Sequence, residues 1–146
     1  MLRGNYTAKI DEKGRLKIPN AFRGLIEGQH GADVFVTSLT GEYVRIYPMP
    51  VWMALEEKMT RVPSAHPARL KFLDRVNFYG QVSELDPQGR VLIQPRLRES
   101  ALMAGEVDVL GKYDFLEVWN HDRFLAKLLR EPYSDDDARA LAEFGI

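Results

Sequence analysis

The chain of 146 residues contains no cysteine. Disulfides, thiolate metal sites and a cysteine nucleophile are thereby excluded, a pattern that suits a reducing compartment. No stretch approaches the roughly 20 apolar residues that span a bilayer, and the opening MLRGNYTAKIDEKG lacks the apolar run of a signal peptide. The expectation is a soluble, cytoplasmic protein with no membrane partner. Catalytic patterns are missing too. His30, His66 and His121 are scattered, no His-x-x-x-His or cysteine pair offers metal spacing, and no Gly-x-Ser-x-Gly or P-loop pattern occurs. No catalytic residue, metal, cofactor or small-molecule substrate is expected. Asp135, Asp136 and Asp137 read as the solvated start of a helix more readily than as a cation site.

What is present is ordinary globular composition, with 45% hydrophobic and 28% charged residues, and an uneven charge distribution. Residues 1–75 carry 12 Lys+Arg against 8 Asp+Glu, and residues 76–146 carry 8 against 13, so a net charge of −1 divides into +4 and −5. Between Met1 and Arg23, the basic residues Arg3, Lys9, Lys13, Arg15, Lys17 and Arg23 are set against Asp11 and Glu12 alone. Such an excess is the electrostatic footprint expected of a polyanion-binding segment.

The chain also repeats itself. KIDEKGRLKIPNAFR at Lys9–Arg23 returns as ELDPQGRVLIQPRLR at Glu84–Arg98. Asp11 falls on Asp86, Gly14 on Gly89, Arg15 on Arg90, Ile18 on Ile93 and Arg23 on Arg98, all at one constant offset. VRIYP at 44–48 answers LEVWN at 116–120, at a slightly shorter offset. A copied element dictates architecture, here two units each built around an Asp-x-x-Gly-Arg turn.

Local patterns fill in the units. Residues 5–10 and 15–18 alternate as strands with one buried face. Asp11 and Gly14 suit the turn between them, because an aspartate accepts a nearby backbone N–H and glycine takes positive φ without strain. Pro19 ends the second strand, and Asn20 is placed to cap a short helix bearing Phe22, Leu25 and Ile26. Gly28–Gly31 reads as a loop. Strands follow at 34–36 and 43–47, then a helix opened by Pro50 with Val51, Trp52, Leu55 and Met59 on one face. The plan is ββαββα. Residues 61–67 form a linker and 68–78 a helix. The plan then recurs, with strands at 81–85, 91–93, 107–110 and 115–119, a short helix from Pro95 to about Met103, and a helix capped by Asn120 or Asp122. Ser134 and Asp137 predict a capping box for a tail helix. Expected divisions are a first repeat at 1–60, linker and helix at 61–80, a second repeat at 81–130 and a tail helix at 131–146. Tyr6, Tyr43, Tyr47, Trp52 and Trp119 read as core more readily than as a stacking platform.

Two Asp-x-x-Gly-Arg turns between short strands resemble the SpoVT/AbrB swapped-hairpin DNA-binding fold. With Met1-Leu2-Arg3-Gly4 and Ile10-Asp11-x-Lys13-Gly14-Arg15-Leu16-x-Ile18-Pro19, the chain resembles the MraZ family across nearly its whole length. That resemblance implies an α+β, mainly β fold: a pseudo-dimeric barrel of swapped hairpins with flanking helices. It also implies a regulator of the bacterial division and cell-wall gene cluster, a repressor that binds duplex promoter DNA as a ring-shaped homo-oligomer on the nucleoid.

On this reading a Lys9–Lys17 ribbon enters the major groove or lies across its edge. Arg15 presents the paired N–H groups that match guanine O6 and N7. Lys13, Lys17 and Arg3 contact phosphates, with Lys9 beside them. Asp11 and Gly14 structure the first turn, Asp86 and Gly89 the second. Arg90 is the second-copy counterpart, but Gln88 and Leu92 replace Lys13 and Lys17 there. The alternative is an AbrB-like interaction module, antitoxin-type or binding RNA or protein, without a specific promoter.

Overall fold

A computed structural model describes residues 1–146, apart from the side chain of His30. Its strands are β1 (Asn5–Lys9), β2 (Arg15–Lys17), β3 (Asp33–Thr37), β4 (Val44–Pro48), β5 (Gln81–Glu84), β6 (Arg90–Leu92), β7 (Glu106–Gly111) and β8 (Leu116–Asn120). Its helices are α1 (Asn20–His30), α2 (Met49–Met59), α3 (Pro67–Phe78), α4 (Pro95–Ser100), α5 (His121–Arg130) and α6 (Asp135–Ala142). Six strands form one antiparallel sheet in the order β1-β7-β8-β4-β3-β5, and β2 pairs with β6 in a second, two-stranded ladder.

The two repeats exchange strands. β1 lies against β7 of the second repeat, and β5 against β3 of the first. β2 and β6 pair with each other, Leu16 opposite Val91. β4 and β8 meet with Val44 opposite Val118 and Ile46 opposite Leu116. A local two-fold axis therefore passes through both the β2–β6 and the β4–β8 ladders. The exchanged strands are those the swapped-hairpin architecture requires, and the fold is the α+β, mainly β class that the resemblance implies.

Exchange also changes what lies between Lys9 and Lys17. The segment is not a two-stranded ribbon: its two strands leave for different sheets, and only an Ile10–Leu16 bridge joins its arms. Backbone donors that a ribbon would satisfy internally are satisfied across the repeats instead, as Ile18 N–H to Gly89 O (2.9 Å) and Ile93 N–H to Gly14 O (3.0 Å).

The main core packs the inner face of the β2–β6 ladder onto the six-stranded sheet. Leu16, Ile18, Val91 and Ile93 meet Val34, Val36, Val44, Ile46, Val107, Val109, Leu116 and Val118, all essentially inaccessible to water. Because β1 runs into β2 and β5 into β6, both edges of the large sheet lead into the ladder that covers it, which limits free edge pairing. A second cluster, Phe35, Tyr47, Trp52 and Val76, lies under α2 and α3. Phe35 stacks on Trp52 at 4.6 Å and Tyr43 on Trp119 at 5.2 Å. Four of the five aromatics expected inside are buried; Tyr6 is exposed, because β1 is a sheet edge.

Other differences are local. α1 continues through Gly28 to His30, where a loop was expected, and its cap position is Pro19, so Asn20 is the first helical residue instead of the cap. α4 stops at Ser100. Asn120 does cap α5, its Oδ1 accepting Arg123 N–H at 3.0 Å. Ser134 and Asp137 form the capping box of α6. His66 caps α3, its Nδ1 accepting Ala68 N–H at 3.1 Å. No helix among the described residues is long and apolar enough to cross a membrane.

Candidate nucleic-acid interface

The first turn is organised by one carboxylate. Asp11 Oδ1 accepts the backbone N–H groups of Lys13 (2.9 Å) and Arg15 (2.9 Å), while Oδ2 accepts Arg15 Nε–H at 2.8 Å. Gly14 N–H donates to Asp11 O at 3.0 Å, and Gly14 sits at φ +82. The second turn repeats each bond. Asp86 Oδ1 accepts Gln88 N–H (2.9 Å) and Arg90 N–H (2.8 Å), Oδ2 accepts Arg90 Nε–H (2.8 Å), and Gly89 has φ +74. Backbone N–H donation from Arg15 to Asp11, and from Arg90 to Asp86, holds both carboxyls below the usual aspartate range. Both turns therefore stay ionised at neutral pH.

Each aspartate engages the guanidinium of its arginine at Nε alone. Among the described residues, neither guanidinium has a hydrogen-bond partner on its Nη atoms, and neither Nη is buried without one. Both side chains are about a quarter exposed, 28% for Arg15 and 29% for Arg90. The tether fixes the plane of the fork and leaves its far edge to water, which is what bidentate recognition of a base edge or phosphate requires.

The β2–β6 ladder unites the two turns. Leu16 and Val91 point into the core, so alternation sends Arg15, Lys17, Arg90 and Leu92 to the outer face. Lys17 lies directly opposite Arg90, and Arg15 opposite Leu92. Cross-strand neighbours have Cβ atoms about 4.5–5.5 Å apart, and like charges so placed destabilise a ladder. Asp86 compensates Arg90, but no carboxylate lies within ion-pair distance of Lys17 or Lys13 among the described residues. The result is a row of four cationic side chains, Lys13, Arg15, Lys17 and Arg90, in which the two arginines are paired with the turn aspartates and the two lysines are not.

The remaining sequence candidates are placed less uniformly. Lys9 ends β1 beside the first turn, exposed and opposite Glu106. Arg3 sits at the other end of β1, where Leu2 bridges Tyr113 and Gly111 N–H donates to Gly4 O. Six steps of about 3.3 Å each put it roughly 20 Å from Lys9, away from this row.

A further pair of residues was not among the site candidates. Each turn glycine is covered by an arginine from the other repeat. Arg23 of α1 packs on Gly89, where an added Cβ would meet its Cδ at 2.7 Å, and Arg98 of α4 packs on Gly14, where a Cβ would fall inside the guanidinium. The echo of Arg23 in Arg98 is visible in the sequence; that each reaches across the axis is not.

His121 Nδ1 lies 2.7 Å from Oδ2 of buried Asp108, whose Oδ1 also accepts from Asn5 Nδ2, and the bond to Asp108 raises the His121 pKa above its ordinary value. The described residues hold no group of three or more His, Asp or Glu side chains arranged to bind a metal.

Comparison with known proteins follows the same line. The family profile described as "MraZ protein, putative antitoxin-like" matches residues 1–75 and 81–144. The chain is 47% identical over 146 residues to a protein of Acidobacterium capsulatum, 42% over 147 residues to one of Koribacter versatilis and 37% over 152 residues to one of Herpetosiphon aurantiacus. Each alignment covers 100% of both chains, and each relative is named "Transcriptional regulator MraZ".

Proposed function

The chain belongs to the MraZ family, and from that premise we propose that it is a transcriptional regulator that reads duplex DNA with the outer face of the β2–β6 ladder and its two Asp-x-x-Gly-Arg turns. Arg15 reads a base edge or the adjacent phosphate. Lys13 and Lys17 neutralise phosphates and set register, with Lys9 at the margin, and Arg90 extends the same row from the second repeat. Asp11 and Asp86, with Gly14 and Gly89, hold the two guanidinium planes in place without touching DNA. Arg3 lies too far along β1 to share a phosphate with Arg15 and serves at most a neighbouring contact.

The observation that carries this reading is Lys17 set against Arg90 on an exposed two-stranded ladder. The arrangement costs stability in the free protein, and a polyanion turns it to advantage. Each guanine-reading arginine contributes about 1–3 kcal/mol of discrimination, and the lysines a salt-dependent, sequence-independent term.

Repression of the division and cell-wall gene cluster, through tandem promoter sites bound by a ring of subunits, is the finer form of this proposal. One protomer offers few phosphate contacts, and linked copies raise avidity by about 10²–10⁴ when their spacing fits. A heterologous interface that closes makes a ring. α5 supports this with Leu125, Leu128 and Leu129 all exposed, an apolar stripe a second copy can cover. Light scattering at micromolar concentration tests the ring, and a monomer there speaks against it. Footprinting on the DNA upstream of the chain's own gene tests the promoter assignment: protection of evenly spaced repeats is expected, and uniform protection without sequence preference overturns it.

A further inference from the structure

The two repeats treat equivalent arginines differently. Arg23, over the second turn, is held at two points: its Nε donates to Glu27 Oε1 at 3.1 Å and its Nη2 to Pro87 O at 2.8 Å. Arg98, over the first turn, has no side-chain hydrogen-bond partner among the described residues, and none of its nitrogens is buried without one. The repeat alignment explains the difference. The position at the same offset as Glu27 is Leu102, which is 50% exposed and lies past the end of α4 at φ +54, so no helical side chain one turn after Arg98 takes the place of Glu27. The carbonyl equivalent to Pro87 O belongs to Glu12, and Arg98 makes no bond to it. Glu12 and Glu99 line the same depression at the first turn, but neither comes within ion-pair distance of the guanidinium.

A half-buried guanidinium lies on the turn glycine, in a depression that Asp11, Glu12 and Glu99 also line, and none of these carboxylates pairs with it, so its N–H donors remain available to another anion. We propose that Arg98, supplied by the second repeat, completes the first turn as a composite phosphate-binding site, so that a DNA phosphate next to the base read by Arg15 is held from both halves of the chain. The inference rests on the DNA-binding reading above. It makes the two turns unequal: the first has Lys13 and an uncommitted arginine, whereas the second has Gln88 and an arginine held by Glu27 and Pro87. It also gives the second repeat a direct part in binding, through α4 in addition to Arg90.

The experiment is a salt titration of duplex DNA binding by the full-length protein, followed by fluorescence anisotropy on the fragment upstream of its own gene. Arg98→Ala is expected to lower affinity about tenfold, the loss of one charge-assisted contact, and to flatten the plot of log affinity against log salt by about one ion. Arg23→Ala is expected to leave that slope unchanged and to lower thermal stability instead. Leu102→Glu adds a carboxylate to the depression that Arg98 lines, so it is expected to weaken binding as Arg98→Ala does, while the neutral Leu102→Gln does not. This surface pair keeps the test decisive if Arg98→Ala unfolds. Arg98→Ala or Leu102→Glu binding with wild-type affinity and slope, while Arg15→Ala loses binding, overturns the role of Arg98 alone. Wild-type protein that ignores duplex DNA overturns both readings.

Discussion

Arg45 and Glu117 hold the same position in the two repeats, and they are each other's ladder partners, joined by a 3.0 Å ion pair. The pair sits on the local two-fold axis. In a symmetric dimer of identical hairpin units this position would face itself, arginine on arginine or glutamate on glutamate. A duplicated chain can place opposite charges there. The neighbours diverge in step: Arg45 Nη1 donates to Tyr47 hydroxyl at 3.2 Å, and Trp119 Nε1 donates to Glu117 Oε1 at 2.7 Å, Tyr47 and Trp119 being equivalent positions in turn.

Removing one partner of such a pair leaves the other charge stranded. Glu117→Ala is expected to destabilise by about 3 kcal/mol, the lower end for a buried pair because Arg45 keeps part of its surface in water. The double variant Arg45→Met, Glu117→Leu removes both charges and is expected to lose less than Glu117→Ala alone. Urea denaturation of the three proteins measures the difference.

The turn glycines are expected to be irreplaceable for two separable reasons. Gly89→Ala places a Cβ at positive φ and presses it on the flexible Arg23 side chain, at a cost of about 1–2 kcal/mol for the backbone alone. Gly14→Ala carries the same backbone cost and also displaces the Arg98 guanidinium, so it is expected to weaken DNA binding beyond its effect on stability. Thermal melts and DNA titrations of the two variants separate the terms.

His121 predicts a pH dependence with a definite sign. The bond to Asp108, helped by the charges of Glu106 and Asp122, raises its folded-state pKa above 6.5. Protonation therefore favours the folded state. The contribution is fully present below pH 6.5 and fades as pH rises through the folded value. Wild type is expected to lose its stability advantage over His121→Gln across that window, as read from denaturation midpoints at a series of pH values. The depressed carboxyls of Asp11 and Asp86 act oppositely: their contribution is present above 3.8 and is lost as pH falls through their lower folded values.

Much of this was legible in the chain because both turns are local. Asp11, Gly14 and Arg15 are near neighbours in sequence, and Asp side-chain chemistry plus glycine φ specify such a turn without reference to the rest of the fold. The repeat revealed the two-fold plan for a similar reason, since matching residues occupy matching environments. Strand exchange was legible only through the family resemblance and not in the local pattern. Alternation tells which face of β1 or β2 is apolar and nothing about which strand pairs with it, so the Lys9–Lys17 segment read as a ribbon when its arms belong to different sheets. The meeting of Lys17 with Arg90, and of Arg98 with Gly14, follows from that exchange and joins residues half the chain apart, beyond the reach of any local pattern. The edge position of β1 also explains Tyr6, which alternation assigned to the core and the fold leaves in water.

The central claim is that Arg15, held at Nε by Asp11 and open at its far edge, reads duplex DNA from the β2–β6 ladder. The direct measurement is the affinity of the wild type and of Arg15→Ala for the duplex upstream of the chain's own gene, across a range of salt concentrations, with circular dichroism on both. The expected result is tight binding by the wild type that falls steeply with salt, and an unchanged fold in Arg15→Ala with only weak, sequence-independent affinity. Equal binding by the two proteins, or no duplex binding by the wild type at low ionic strength, would contradict it.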